Sequence, residues 1–230
     1  MIRELVAATA AVSLCACAPR YLQSELSPDA TLYEFSRVMV LPVAATETDR
    51  LSAARQSDRQ GQAGAAESYR TGEVAAGADA VVTDLLYGAL AEQPSLELVA
   101  RALVEREMAA LSQPPSPPAL QALARKLRAD VILRGLVTDY REREGSHVGV
   151  AQPAAVGIQL WLVAARDGQM IWQGRYYEVQ QSMTEDPRTL PLYLKRGTRW
   201  LTASELAKYA VGELVKTLPP PRAASSATTP

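Results

Sequence analysis

The stretch Arg37-Val-Met-Val-Leu-Pro-Val43 does most to limit what this chain can fold into. Successive side chains of a strand point to opposite faces, so a run that is β-branched or apolar at consecutive positions buries both of them. Pro42 then ends regular pairing, because it has no N–H to give to a ladder. A strand apolar on both faces needs cover on both sides. Layers above and below the sheet are therefore required, and the rest of the chain must supply them.

The supply is visible downstream. Ala78, Val81, Val82, Leu85, Leu86, Ala89 and Leu90 recur at helical spacing until Pro94. Leu96 to Ala100 is a short strand, followed by a helix through Val104, Met108 and Leu111. The run Gln113-Pro-Pro-Ser-Pro-Pro118 breaks the chain, and Leu120, Leu123, Ala124 and Leu127 form the apolar stripe of a further helix. Asp130 to Tyr140 is a long strand, Arg141 to Pro153 a charged turn, and Val156 to Ala164 a strand with Ile158, Leu160 and Leu162 on one face. Arg166-Asp167-Gly168-Gln169 supplies a hairpin turn into the strand Met170 to Val179. Thr202-Ala-Ser-Glu205 is a capping box ahead of a last helix carrying Leu206, Tyr209, Ala210 and Leu214. The expected order is β-α-β-α-α-β-β-β-α, an α/β (α+β) fold with a mixed β-sheet and helices packed on it. It forms a single domain over 35–218, with a polar loop or insertion at 44–73 that is rich in Ala, Gln, Ser and Arg.

The two ends lie outside that domain. Met1 to Cys17 runs from a short charged start through the apolar stretch Leu5 to Leu14 into small residues, the layout of a secretory signal. Ten helical residues span only about 15 Å, half a hydrocarbon core, so the segment is too short to be an ordinary membrane span. Residues 17–34 are expected to act as a tether, and 219–230, opening Pro-Pro-Pro and closing Ser-Ser-Ala-Thr-Thr-Pro, as a disordered tail.

Leu14-Cys15-Ala16-Cys17 resembles the bacterial lipobox, in which the final cysteine is diacylated and becomes the new N-terminus. The resemblance implies a signal peptide at 1–16 and a lipid anchor on Cys17. Three acyl chains exceed the two signals needed for stable anchoring. Ala18 stands where an Asp would favour inner-membrane retention in the enterobacterial type, which leans the expectation towards the outer membrane, facing the periplasm.

The order of apolar phrases from Arg37 to Trp172 resembles the periplasmic α/β domain shared by the curli-secretion lipoprotein CsgG and the lipoprotein activators of penicillin-binding proteins, over roughly residues 37 to 180. The resemblance implies a non-enzymatic domain that binds other envelope proteins or itself. It departs from the curli channel in one respect: Arg141 to Pro153 is too short and too charged to supply a membrane-spanning hairpin of about 9–11 residues per strand.

Chemistry in the side chains is sparse. With 24 Lys and Arg against 25 Asp and Glu there is no basic excess for phosphate neutralisation, so nucleic acid is not an expected partner. The sequence has two Cys and one His, no phosphate-binding Gly-rich loop and no nucleophile elbow, so no metal, nucleotide or other cofactor is expected. His147 lies in a turn and reads as a solvated histidine. Asp139, Glu142 and Glu144 can be read as paired carboxylates for glycan cleavage, but charges at a strand end and turn are ordinarily solvated. Lys195, Arg196 and Arg199 beside Trp200 form a candidate binding patch for anionic glycan or lipid, the alternative to a protein-binding role. Trp161 points away from Leu160 and Leu162, and that face, if uncovered, is a candidate interface.

Overall fold

The computed structural model describes residues 21–45, 72–112, 114–146, 149–180 and 199–221. It contains a mixed six-stranded sheet and four helices packed on it. In chain order the sheet strands are β1 (Leu22–Leu26), β2 (Arg37–Val40), β3 (Glu97–Leu98), β4 (Val131–Arg141), β7 (Ala155–Ala164) and β8 (Met170–Val179). A separate short ribbon of β5 (Glu144–Gly145) and β6 (Val150–Gln152) fills the turn between β4 and β7. The helices are α1 (Ala78–Ala91), α2 (Arg101–Ala109), α3 (Pro117–Lys126) and α4 (Ala203–Lys216).

The strand order across the sheet is β1-β8-β7-β4-β2-β3. β3, β2 and β4 run parallel, joined by helical crossovers, and β4, β7, β8 and β1 are antiparallel. The two parts obey different side-chain rules. In β2, Val38 and Val40 enter one core with α1 and α4, while Met39 and Leu41 enter a second core with α2 and α3. Cover on both faces is what the uninterrupted apolar run requires. In β7, Ile158, Leu160 and Leu162 face α4, and Gln159, Trp161 and Val163 alternate with them on the other side.

Pro42 ends the β2 ladder as expected, and α1 takes over the exposed backbone. The Val43 N–H donates to Thr83 Oγ1 at 3.0 Å, and Tyr87 Oη–H donates to the Val40 carbonyl at 2.9 Å. Asp130 aligns β2 with β4 at the other end, accepting from the Ser36 and Arg37 N–H groups at 2.9 Å each. Arg128 holds φ 55° just past the end of α3, the left-handed turn that redirects the chain into β4.

The structure adds to the sequence expectations at three places. The stretch 17–34, read as a tether, contains β1, which pairs along its whole length with β8. Its exposed, weakly apolar sequence shows no period because its hold on β8 is mainly the backbone ladder, joined by side-chain bonds of Gln23 with Arg175 and of Glu25 with Gln173. Second, the loop read at 44–73 is anchored inside the sheet at both ends. Ala44 exchanges bonds with Gly135 and Val137 of β4, and Gly72 and Glu73 bond to Thr138 and Tyr140. Third, the short strand expected over 96–100 is only Glu97–Leu98.

Candidate functional site

The described part of the sequence-predicted patch lies where the ends of β4 and β8 meet the start of α4. Thr202 caps the helix: its Oγ1 accepts from the Glu205 N–H at 3.2 Å, and Glu205 Oε2 accepts from the Thr202 N–H at 3.0 Å. Two residues from the sheet complete the end. Glu142 accepts the Ala203 N–H on both carboxylate oxygens, each at 3.1 Å. Gln180, at the end of β8, accepts the Leu201 N–H at 2.8 Å and donates to the Arg199 carbonyl at 3.2 Å. Two carboxylates thus meet the positive end of the α4 dipole.

Arg199 forms a forked pair with Glu205, at 2.5 Å and 3.2 Å. The Thr202 backbone N–H, then Arg199, hold the Glu205 carboxyl below the usual carboxylate range. Tyr140 is pushed up by burial and by the neighbouring Glu142 charge, with a Ser204 hydrogen bond opposing. An anion arriving here competes with two carboxylates already in place. Of the predicted patch, Arg199 is exposed and Trp200 half-buried, while Lys195 and Arg196 lie outside the described residues. Cys17 and His147 also lie outside them.

The carboxylate group reads differently in space. Asp139 is fully buried, not solvated, and pairs with Arg141 Nε at 3.2 Å and with Tyr177 Oη at 3.4 Å. A bulge in β4 between Val137 and Asp139 moves it off the core face of Val137 to the opposite face, beside Gly157 and Tyr177, a displacement that strand alternation does not reveal. Gly72 passes directly over this carboxylate, and a Cβ there would overlap it. Asp139 is therefore held by the Arg141 and Tyr177 side chains beneath Gly72, and Glu142 closes the backbone at the start of α4. Glu144 sits exposed in the β5–β6 ribbon.

Of the two tryptophans on the hairpin, Trp172 is buried against α4 and Trp161 is half-buried on the opposite face. That opposite face is not bare: Leu136 and Gln159, register partners beside Trp161, are 2% and 5% exposed. Gln159 Oε1 is buried with no hydrogen-bond partner among the described residues. Among the described residues there is also no cluster of His, Cys, Asp and Glu that could hold a metal ion.

The molecule is thus a three-layer α/β domain whose most organised polar region closes the start of α4. No known family model matches the chain, and no curated protein matches it. Solved structures of similar fold include the PelC dodecamer from Paraburkholderia phytofirmans, at 14% identity over 84% of this chain and 94% of that one, with a TM-score of 0.48. The LpoB C-terminal domain from Salmonella enterica is 17% identical over 64% of this chain and 85% of that one, with a TM-score of 0.37. Lipoprotein GNA1162 from Neisseria meningitidis is 15% identical over 70% of this chain and 91% of that one, with a TM-score of 0.39. At this distance a likeness of fold carries no information about ligand or partner.

Proposed function

We propose that this protein is a lipoprotein anchored through Cys17 to the outer membrane, and that its α/β domain is a non-catalytic accessory or assembly factor for envelope proteins. The observation that carries the reading is the apolar stretch Leu5 to Leu14 running into Leu14-Cys15-Ala16-Cys17. The polar residues best placed for chemistry support it from the other side, because Asp139 is occupied by Arg141 and Tyr177 and Glu142 by the start of α4. A lipid on Cys17 would leave the chain without a free thiol once Cys15 departs with the signal peptide.

Metabolic labelling with a fatty-acid analogue tests the anchor. Label should enter the full chain and Cys15→Ser but not Cys17→Ser; label that persists in Cys17→Ser sinks the assignment. The accessory role predicts stoichiometric co-purification with an envelope protein through moderate salt. Retention on cell-wall sacculi or anionic vesicles, lost in Lys195→Ala/Arg199→Ala, would replace that role with glycan or lipid binding. Cleavage of envelope glycan that disappears in Glu142→Gln would overturn both.

A further inference from the structure

β1 closes one edge of the sheet, and among the described residues no strand pairs with its outer side. Residues Gln23 to Leu26 are exposed, and Leu26, at 50%, is one of two large apolar side chains among the described residues that stand well out into solvent. Edge strands are usually guarded by charged side chains, above all lysine, by proline or by a bulge. β1, Leu-Gln-Ser-Glu-Leu, has no lysine or proline and a single charge, Glu25, which accepts from Gln173 Nε2 at 2.7 Å, and its register with β8 is unbroken.

The backbone phase of this edge follows from two hydrogen bonds. The Tyr177 N–H donates to the Tyr21 carbonyl at 2.8 Å and the Ser27 N–H to the Ile171 carbonyl at 2.9 Å. Bonded pairs alternate in an antiparallel ladder, so Gln23 and Glu25 also turn their backbone groups to β8. Leu22, Ser24 and Leu26 turn theirs outward.

We infer that β1 is a self-recognition edge: two copies of this chain pair antiparallel through β1, with the two-fold axis at Ser24. The sequence is its own complement in that register. Ser24 faces Ser24 of the second copy, and Leu22 faces Leu26, each pair exchanging two backbone hydrogen bonds through groups that already point outward. Gln23 then faces Glu25 in the non-bonded pairs, where side chains approach most closely, so an amide meets a carboxylate and no like charges stand directly opposite. Side-chain faces also agree. Leu22, Ser24 and Leu26 lie on the α4 side, paired with Tyr176, Gly174 and Trp172. Leu22 already packs on the α1–α4 core, and contact with Leu26 of the second copy extends that layer across the axis. A one-residue slip puts the leucines opposite polar residues and breaks the match. The contact is smaller than a standard protein interface, so the pairing is weak and concentration-dependent.

This pairing is independent of the membrane anchor, and the test is arranged to show it. In the full chain carrying Cys15→Ser and Cys17→Ser, an introduced cysteine is the sole thiol and no lipid is attached. Ser24→Cys should give at least about tenfold more dimer with a short bis-maleimide than Glu92→Cys at the exposed end of α1. Ser24→Pro removes only an outward N–H and spares the β8 ladder; it should abolish concentration-dependent association in sedimentation while leaving Tm nearly unchanged. Leu26→Lys, half-exposed and outside any bonded pair with β8, serves as the second variant and should give the same loss. Equal cross-linking at positions 24 and 92, a chain that stays monomeric into the millimolar range, or association that survives Leu26→Lys would overturn the proposal. None of these outcomes depends on whether Cys17 is acylated.

Discussion

Pro42 removes a donor from the end of β2, and the groups left behind are answered from a different element. Thr83 Oγ1 accepts the buried Val43 N–H and donates its own O–H to the Asp79 carbonyl at 2.7 Å. Thr83→Val keeps the shape and deletes the acceptor, so it should cost about 1–3 kcal/mol in urea unfolding, with Thr83→Ser retaining most of the stability. Tyr87, whose burial raises its pKa to about 12, stays protonated and keeps its bond to Val40 throughout the physiological range. Gly174 is the second sensitive position. The Trp172 indole lies across it, and a Cβ there would overlap the ring and crowd Leu214 of α4. Gly174→Ala should therefore destabilise by about 1–3 kcal/mol, with the tryptophan fluorescence shifting as the ring moves. Neither position was legible from sequence. Thr83 is a polar residue between the stripe positions Val82 and Leu85, and Gly174 one residue of the strand Met170 to Val179, because the partner that gives each its meaning comes from elsewhere in the fold.

At the level of elements, α4 shows which parts of a helix boundary are local. Thr202 and Glu205 stand three apart and were readable as a capping box, and both reciprocal bonds are present. Glu142 and Gln180, which close the same end, come from the turn after β4 and the end of β8 and carried no such signal. The pH dependence belongs here. Glu205 has its folded pKa depressed below the ordinary value of 4.5, so its contribution is fully present above that value and is lost as pH falls through the depressed one. Its half-exposed position makes the effect small. Acid unfolding monitored by circular dichroism should start at higher pH in the wild type than neutral-pH stability alone implies, and Glu205→Gln should lower neutral stability while flattening that acid limb. A limb that keeps its slope in Glu205→Gln would remove this carboxylate from the account. The hairpin between β7 and β8 was equally readable: Asp167-Gly168 supplies the turn, with Gly168 at φ 77° and Asp167 Oδ1 accepting from the Gln169 N–H at 3.0 Å. β1 was not, because an edge strand held by backbone bonds shows little side-chain periodicity.

For the molecule as a whole, the ladder on β4 passes from Ala44 to Gly72 with the bonds on either side intact. Ala44 and Gly72, on either side of residues 46–71, therefore lie at neighbouring points of one sheet. Replacing them with a short Gly-Ser linker should leave the domain folded, with Tm displaced by only a few degrees, since each doubling of loop length costs only about 0.6 kcal/mol. Collapse of the near-ultraviolet dichroism in that deletion would show that the insertion contributes to the core. The division of information follows from range. Apolar phrasing from Arg37 to Val179 determined the layered α/β class by itself, because strand and helix periodicities are local and cover on both faces of β2 was obligatory. The proposed lipid anchor likewise rests on local sequence alone, the stretch Leu5 to Cys17. Only the tertiary structure decided that Asp139 is buried, that Glu142 closes α4, and that β1 is the edge strand of the described sheet. A bulge, a cap contributed from across the fold and the direction of backbone groups at a sheet border all depend on which strand lies beside which, a property that no single stretch of residues carries.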